Sequence, residues 1–316
     1  MTRATSDYAQ RHGSASELVP APRPADEKWS ARAPVTRGGE RGRLGGLLRE
    51  GFRRGTAALR ALPDFVIIGA QKAGTSSLYS YLTQHPDVIA ATRKEIHYFG
   101  APAYEGGLGW YRAHFPLSGS LRYLQAVRGR SVLTGEASPY YLFHPHSHRR
   151  MRAVIPDAKI IVMLRNPINR ALSHYQHQVR KGWEPLSFTA AIDTENARLE
   201  GELDRMLADE RYYGYNYWAY SYQARGVYWE QLERWLSVYP REQFLFLSSE
   251  EFFADPASAY TRTQSFLGLK SHELRDYGKQ NSGGSYSGLE DGTEAQLSAH
   301  FKKVCAELRH RSVFQP

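Results

Sequence analysis

The chain has 316 residues and a net charge of +9. That is length enough for one large domain with a buried core. Residues 1–62 hold 12 Lys/Arg against 6 Asp/Glu and the rest hold 29 against 26, so +6 of the charge sits in the first segment and the near-balanced body argues against a nucleic-acid partner. A single cysteine, Cys305, excludes an intramolecular disulfide and a cysteine-based metal cluster. There is no charged-then-apolar signal and no apolar run long enough to span a bilayer, so a cytoplasmic protein is expected.

Residues 1–62, rich in Ala, Arg, Pro, Gly and Ser, read as a disordered basic leader. From Leu44 to Leu62 a weakly amphipathic basic stretch suits a solvated helix leading into the domain, with weak membrane-surface association as the other reading. The domain then runs from 63 to 316. It opens on Phe65-Val-Ile-Ile-Gly-Ala-Gln-Lys-Ala-Gly-Thr-Ser-Ser-Leu-Tyr79. Phe65–Ile68 suit a fully buried strand, Gly69 and Gly74 bracket a tight loop, and Thr75, Ser76 and Ser77 are N-cap candidates for a helix. A strand, a glycine loop and a helix N-terminus in that order make an anion site. In a nucleotide P-loop the lysine follows the second glycine. Here Thr75 follows Gly74 and Lys72 lies inside the loop. The arrangement suits transfer of a group that needs no metal, but does not separate phosphate from sulfate.

Val88–Ala90 reads as a short strand. In Arg93–Phe99, an extended backbone would put Glu95 and His97 on one side, which is either a proton-transfer pair or a solvated strand edge. Gly107–Phe115 reads as a short helix, 116–131 as a loop, Val132–Thr134 as a strand and His144–Ile155 as a helix with His146, His148, Arg149, Arg150 and Arg152 on a solvated face. Ala158–Leu164 is a second buried strand, ended by Arg165 and followed by a helix to about Lys181. Arg165, at the carboxyl end where parallel sheets take ligands, and Ser173, two helical turns on, are placed to hold a second phosphate. His174 and His177 fall near one helical face. A helix is expected from Pro185 to about Leu207. The aromatic run Tyr212–Tyr222 is either a planar-substrate platform or packing. An amphipathic helix (226–239), a strand (Phe244–Leu247), a helix (256–267), a Gly/Ser-rich loop (280–289) and a last helix (294–310) complete the chain. Alternating strands and helices give an α/β class with a P-loop-like parallel sheet flanked by helices.

On these residues the chain resembles the PAPS-dependent sulfotransferases (PAPS is 3′-phosphoadenosine 5′-phosphosulfate). Gly-Ala-Gln71-Lys72-Ala73-Gly74-Thr75-Ser76 is similar to their 5′-phosphosulfate loop. Leu164-Arg-Asn-Pro-Ile-Asn-Arg-Ala-Leu-Ser173 is similar to their 3′-phosphate motif. Lys94-Glu-Ile-His-Tyr-Phe99 and Ser173-His-Tyr-Gln-His-Gln178 resemble segments of the heparan sulfate enzymes of the 3-O-sulfotransferase and N-deacetylase/N-sulfotransferase types. The resemblance covers roughly residues 63–270 and implies a donor, PAPS, that leaves as PAP, with no metal. It implies Lys72 and the loop as charge stabilisers and Arg165, Ser173 and Tyr228 as donor contacts. Glu95 becomes the general base, with a pKa expected above the ordinary carboxylate value, and His97 and His177 assist. Where glycosaminoglycan enzymes usually have Glu-Lys, this chain has Glu136-Ala137, and their late basic loop is Gly283-Gly-Ser-Tyr-Ser287 here. With those cations missing, a neutral sugar, glycolipid or small hydroxylated metabolite is the expected acceptor. The Arg/Ala/Gly-rich leader suggests a bacterial origin. The competing readings are a P-loop-type small-molecule kinase and a non-catalytic nucleotide-binding or membrane-surface module.

Overall fold

The computed structural model describes residues 40–100, 103–278 and 291–310. Five strands form one fully parallel sheet: β1 (Phe65–Gly69), β2 (Val88–Ala90), β3 (Leu133–Ala137), β4 (Lys159–Leu164) and β5 (Phe244–Ser248), in spatial order β2-β3-β1-β4-β5. Parallel strands require helical crossovers, which cover both faces, and this explains the uninterrupted apolar runs. Every residue of β1 is buried.

The helices are α1 (Glu40–Gly55), α2 (Thr75–Leu82), α3 (Gly107–Arg112), α4 (Ser118–Arg128), α5 (Ser147–Val154), α6 (Pro167–Arg180), α7 (Phe188–Asp193), α8 (Glu195–Leu199), α9 (Glu202–Ala208), α10 (Tyr215–Tyr220), α11 (Tyr228–Leu236), α12 (Ser249–Ala254), α13 (Pro256–Leu267) and α14 (Asp291–His310). β1 lies between the two halves of the sheet, and the chain changes sides on passing from β3 to β4. Such a switch point opens a crevice at the carboxyl ends of the strands. None of the helices among the described residues is long and apolar enough to cross a membrane.

The structure departs from the sequence reading in several places. The helix expected over Leu44–Leu62 spans Glu40–Gly55, and the end of this segment is tied to the body rather than solvated. Arg53 donates to Ala113 O at 3.1 Å, and buried Arg60 donates to Phe115 O at 2.7 Å. Residues 1–39 lie outside the described residues, as does the 280–289 loop. The loop expected at 116–131 holds α4, which buries little beyond Leu121 and so shows a faint apolar pattern. The single helix expected after Pro185 is three short ones, broken at Thr194 and at Gly201, whose φ is +68°.

His146, His148 and Arg150 are buried rather than solvated. His146 Nε2 lies 2.6 Å from Met206 O, and Arg150 Nη2 donates to Glu210 O at 2.9 Å. His146 and Arg150 are inside because each has a partner to replace water, and His148 lies against the Trp235 ring with centroids 6.3 Å apart. Within the aromatic run, Tyr217, Tyr220 and Tyr222 are packing residues. Tyr217 stacks on Phe143 with centroids 4.3 Å apart, and the hydroxyl of Tyr222 donates to Glu184 at 2.7 Å.

Candidate functional site

The loop between β1 and α2 crosses the carboxyl end of the sheet. Gly74, rather than a hydroxyl residue, is the N-cap of α2, with φ +97°. A Cβ there would lie 3.0 Å from the Phe253 ring and 3.3 Å from Met163 Cε, so both conformation and space call for glycine. Lys72 also takes a positive φ, +73°. The first turn of α2 leaves the Thr75 and Ser76 N–H groups without intrahelical acceptors, at the positive end of the helix.

Two neighbouring elements fix this loop. Arg165, just past the end of β4, donates from Nη1 to Lys72 O at 3.0 Å. The Tyr228 hydroxyl donates to Arg165 O at 2.9 Å, on the backbone of the residue that grips the loop. Asn166 caps α6 by accepting from Ile168 N and Asn169 N, which sets Arg165 at the mouth of the crevice. Ser173 is buried in α6. Gln71 accepts from Arg225, a residue the sequence reading did not single out. Arg225 is buried over the rings of Tyr140 and Phe143 and also donates to Trp218 O. A contact across so long a separation leaves no local mark in the sequence.

The charges are concentrated. Burial lowers the Lys72 pKa to about 8, and Arg180, Arg165 and Lys181 push in the same direction while Glu95 opposes them. His177 falls to about 4 through burial and the fields of Lys181, Lys72 and Arg180, so it is neutral at neutral pH. Lys72, Arg165, Arg180 and Lys181 thus create one region of positive potential, which neutral His177 and the Glu95 carboxylate adjoin.

Glu95 and His97 do meet, though not by an extended backbone. Both take positive φ, +61° and +57°. For non-glycine residues this costs roughly 1–3 kcal/mol each and requires outside restraint. The Glu95 N–H donates to Ala137 O at 3.0 Å, and the His97 N–H donates to Ser138 Oγ at 3.1 Å. Both acceptors lie at the end of β3, so the sheet itself holds the two residues. His97 Nε2 is 3.4 Å from Glu95 Oε2, and Lys94 Nζ is 2.6 Å from Glu95 Oε1. Enclosure would raise the Glu95 pKa, but the His97 hydrogen bond and the Lys94 charge outweigh it. The carboxyl is held well below the usual carboxylate range, which corrects the expected upward shift.

Behind this pair, Glu136 is fully buried, and burial raises its pKa. It accepts from Tyr111 at 2.7 Å, Ser138 at 2.7 Å and Tyr141 at 3.2 Å. Among the described residues no group of three or more His, Cys, Asp or Glu is placed to hold a metal ion.

A family described as the sulfotransferase domain matches residues 62–306. Over 211 residues the chain is 35% identical to heparan sulfate glucosamine 3-O-sulfotransferase 6 of Homo sapiens, covering 67% of this chain and 54% of that one. Over 220 residues it is 32% identical to bifunctional heparan sulfate N-deacetylase/N-sulfotransferase 2 of Homo sapiens, covering 66% and 22%. Among solved structures, a sulfotransferase from Alicyclobacillus acidocaldarius matches with a TM-score of 0.56 and 34% identity, over 79% of this chain and 95% of that one. The chain spans just over half the length of the 3-O-sulfotransferase it matches.

Proposed function

The chain belongs to the sulfotransferase domain family, and from that premise we propose that it transfers the sulfuryl group of PAPS to a hydroxyl or amine of a carbohydrate-type acceptor, releasing PAP. The observation that carries this reading is the placing of Lys72 on a loop gripped by Arg165, inside a field shared with Arg180, Lys181 and one carboxylate, Glu95. A strongly cationic crevice with a single carboxylate at its edge fits a polyanionic donor and an acceptor that must lose a proton.

In this reading Lys72 and the N–H groups of Gly74, Thr75 and Ser76 stabilise charge that grows on the bridging oxygen of the leaving group. Arg165 and Ser173 hold the 3′-phosphate, and Gln71 and Ala73 line the loop. Tyr228 keeps Arg165 in place. Glu95 takes the acceptor's proton, with His97 orienting its carboxylate at 3.4 Å. Neutral His177 contributes a hydrogen bond rather than charge. No step needs a metal ion.

The relatives' names specify heparan sulfate. This chain has Ala137 where the motif resemblance leads to the expectation of a lysine, which favours a neutral sugar, glycolipid or small hydroxylated metabolite over a long sulfated polymer. Incubation with PAPS and a panel of neutral and sulfated oligosaccharides, followed by mass spectrometry, tests this. Gain of one sulfate by a neutral acceptor is expected. PAP release with none of the panel, or magnesium-dependent ATP consumption, would favour the kinase reading instead.

A further inference from the structure

We infer that Lys94 is a further catalytic residue of this site, contacting the transferring sulfuryl group and supplying the cation that Ala137 lacks. The inference rests on the donor reading above.

One ammonium joins the two halves of the site. Lys94 Nζ donates to Ser76 Oγ at 2.7 Å, in the first turn of the anion-binding helix, and to Glu95 Oε1 at 2.6 Å. An ammonium carries three donors, and two of them go to these partners. A third acceptor is within its capacity without breaking either bond. The side chain keeps 27% of its surface exposed, so it is open to the crevice rather than sealed into the core.

The neighbouring strand explains why this cation is needed. β3 ends in Ala137, whose carbonyl accepts the Glu95 N–H at 3.0 Å and whose side chain brings no charge. Lys94 is adjacent in sequence to Glu95 and bridges it to Ser76, four residues past Lys72 on the same loop-and-helix segment. A sulfuryl group held at that segment would thus meet a second ammonium besides Lys72.

In transfer, the acceptor oxygen forms a bond to sulfur as the bond from sulfur to the 5′-phosphate oxygen breaks. The acceptor proton passes to the Glu95 carboxylate, and the electron pair of the broken bond leaves on PAP. Lys94 serves both events. Its charge stabilises the sulfuryl oxygens, and sharing that charge with them weakens its pull on Glu95. The carboxylate then becomes a stronger base when the donor is in place.

The test compares two ligands that differ only by the sulfuryl group. Calorimetric titrations with PAPS and with PAP are made on the wild type, Lys94→Ala and Lys94→Arg. For Lys94→Ala, PAPS affinity is expected to fall about tenfold, as for loss of one charge-assisted contact, while PAP affinity stays within about twofold. Lys94→Arg is expected to recover most of the loss. Equal effects on PAPS and PAP, or no effect on either, would overturn the inference and leave Lys94 a structural partner of Glu95. Failure of the wild type to bind PAP would instead remove the donor reading itself, and this inference with it. Melting curves confirm that each variant is folded.

Discussion

One hydroxyl ties Glu136 to His97: Ser138 Oγ accepts the His97 backbone N–H at 3.1 Å and donates to Glu136 Oε2 at 2.7 Å. The positive φ of His97 is thereby anchored to a carboxylate that Tyr111 and Tyr141 also hold. The restraint reaches from the aromatic core, where Tyr111 stacks on Tyr98 with centroids 4.5 Å apart, to the Glu95–His97 pair.

Ser138→Ala removes that link and leaves the buried Glu136 oxygen and the part-buried His97 N–H without their partner, at about 1–3 kcal/mol. The larger expected effect is on turnover. Loss of the restraint lets the Glu95–His97 pair drift, and misplacement on the order of 1 Å costs up to about a hundredfold. Steady-state kinetics should show kcat falling while PAP affinity holds. Ser138→Thr, which keeps the hydroxyl, should restore much of the rate.

The pH profile follows from two shifted groups. The Lys72 pKa is lowered to about 8, so its positive charge is complete below that value and is lost as pH rises through it. Donor kcat/KM is expected to decline above about pH 8. Glu95 is held below the ordinary carboxylate range, so it stays ionised through mild acid and gives no acid limb there. In Lys94→Ala the carboxyl loses a lowering charge, and an acid limb should move up towards the ordinary range. A rate–pH profile of both proteins checks the sign.

Gly74→Ala tests the loop. Its φ of +97° and the 3.0 Å approach to Phe253 leave no place for a Cβ. PAP affinity is expected to fall at least tenfold by calorimetry, because the first-turn N–H groups shift with the loop. Gly182→Ala provides the contrast. It shares a positive φ, +69°, but nothing lies within 4 Å of its Cβ, so its cost is local strain alone and PAP affinity should hold.

Away from the site, Arg198 and Glu184 form a fully buried pair at 2.6 and 3.2 Å, with Tyr222 on the same carboxylate. Arg198→Met strands the carboxylate and is expected to cost about 3–5 kcal/mol in denaturant unfolding. Adding Glu184→Leu should recover much of that. A double mutant no better than the single would contradict the buried-charge explanation.

Much of the fold was legible because parallel strands buried on both faces have to be apolar throughout. Phe65–Ile68, Ala158–Leu164 and Phe244–Leu247 each mark a strand. The loop lysine and Arg165 were legible because each lies directly past such a strand. The conformation at Glu95 and His97 was not. Non-glycine residues with positive φ leave no pattern, since the restraint comes from Ala137 and Ser138, some forty residues away. The low Glu95 pKa was hidden for the same reason: it depends on where Lys94 and His97 point. Arg225 and the buried His146, His148 and Arg150 were missed because polarity suggests solvent unless the partner is known.

The most direct test of the donor assignment is calorimetric titration of the full chain with PAP, with and without magnesium, for the wild type and Arg165→Ala. The expected result is tight binding, unchanged by magnesium and weakened at least tenfold by Arg165→Ala. No binding of PAP, with magnesium-dependent binding of ATP in its place, would contradict it.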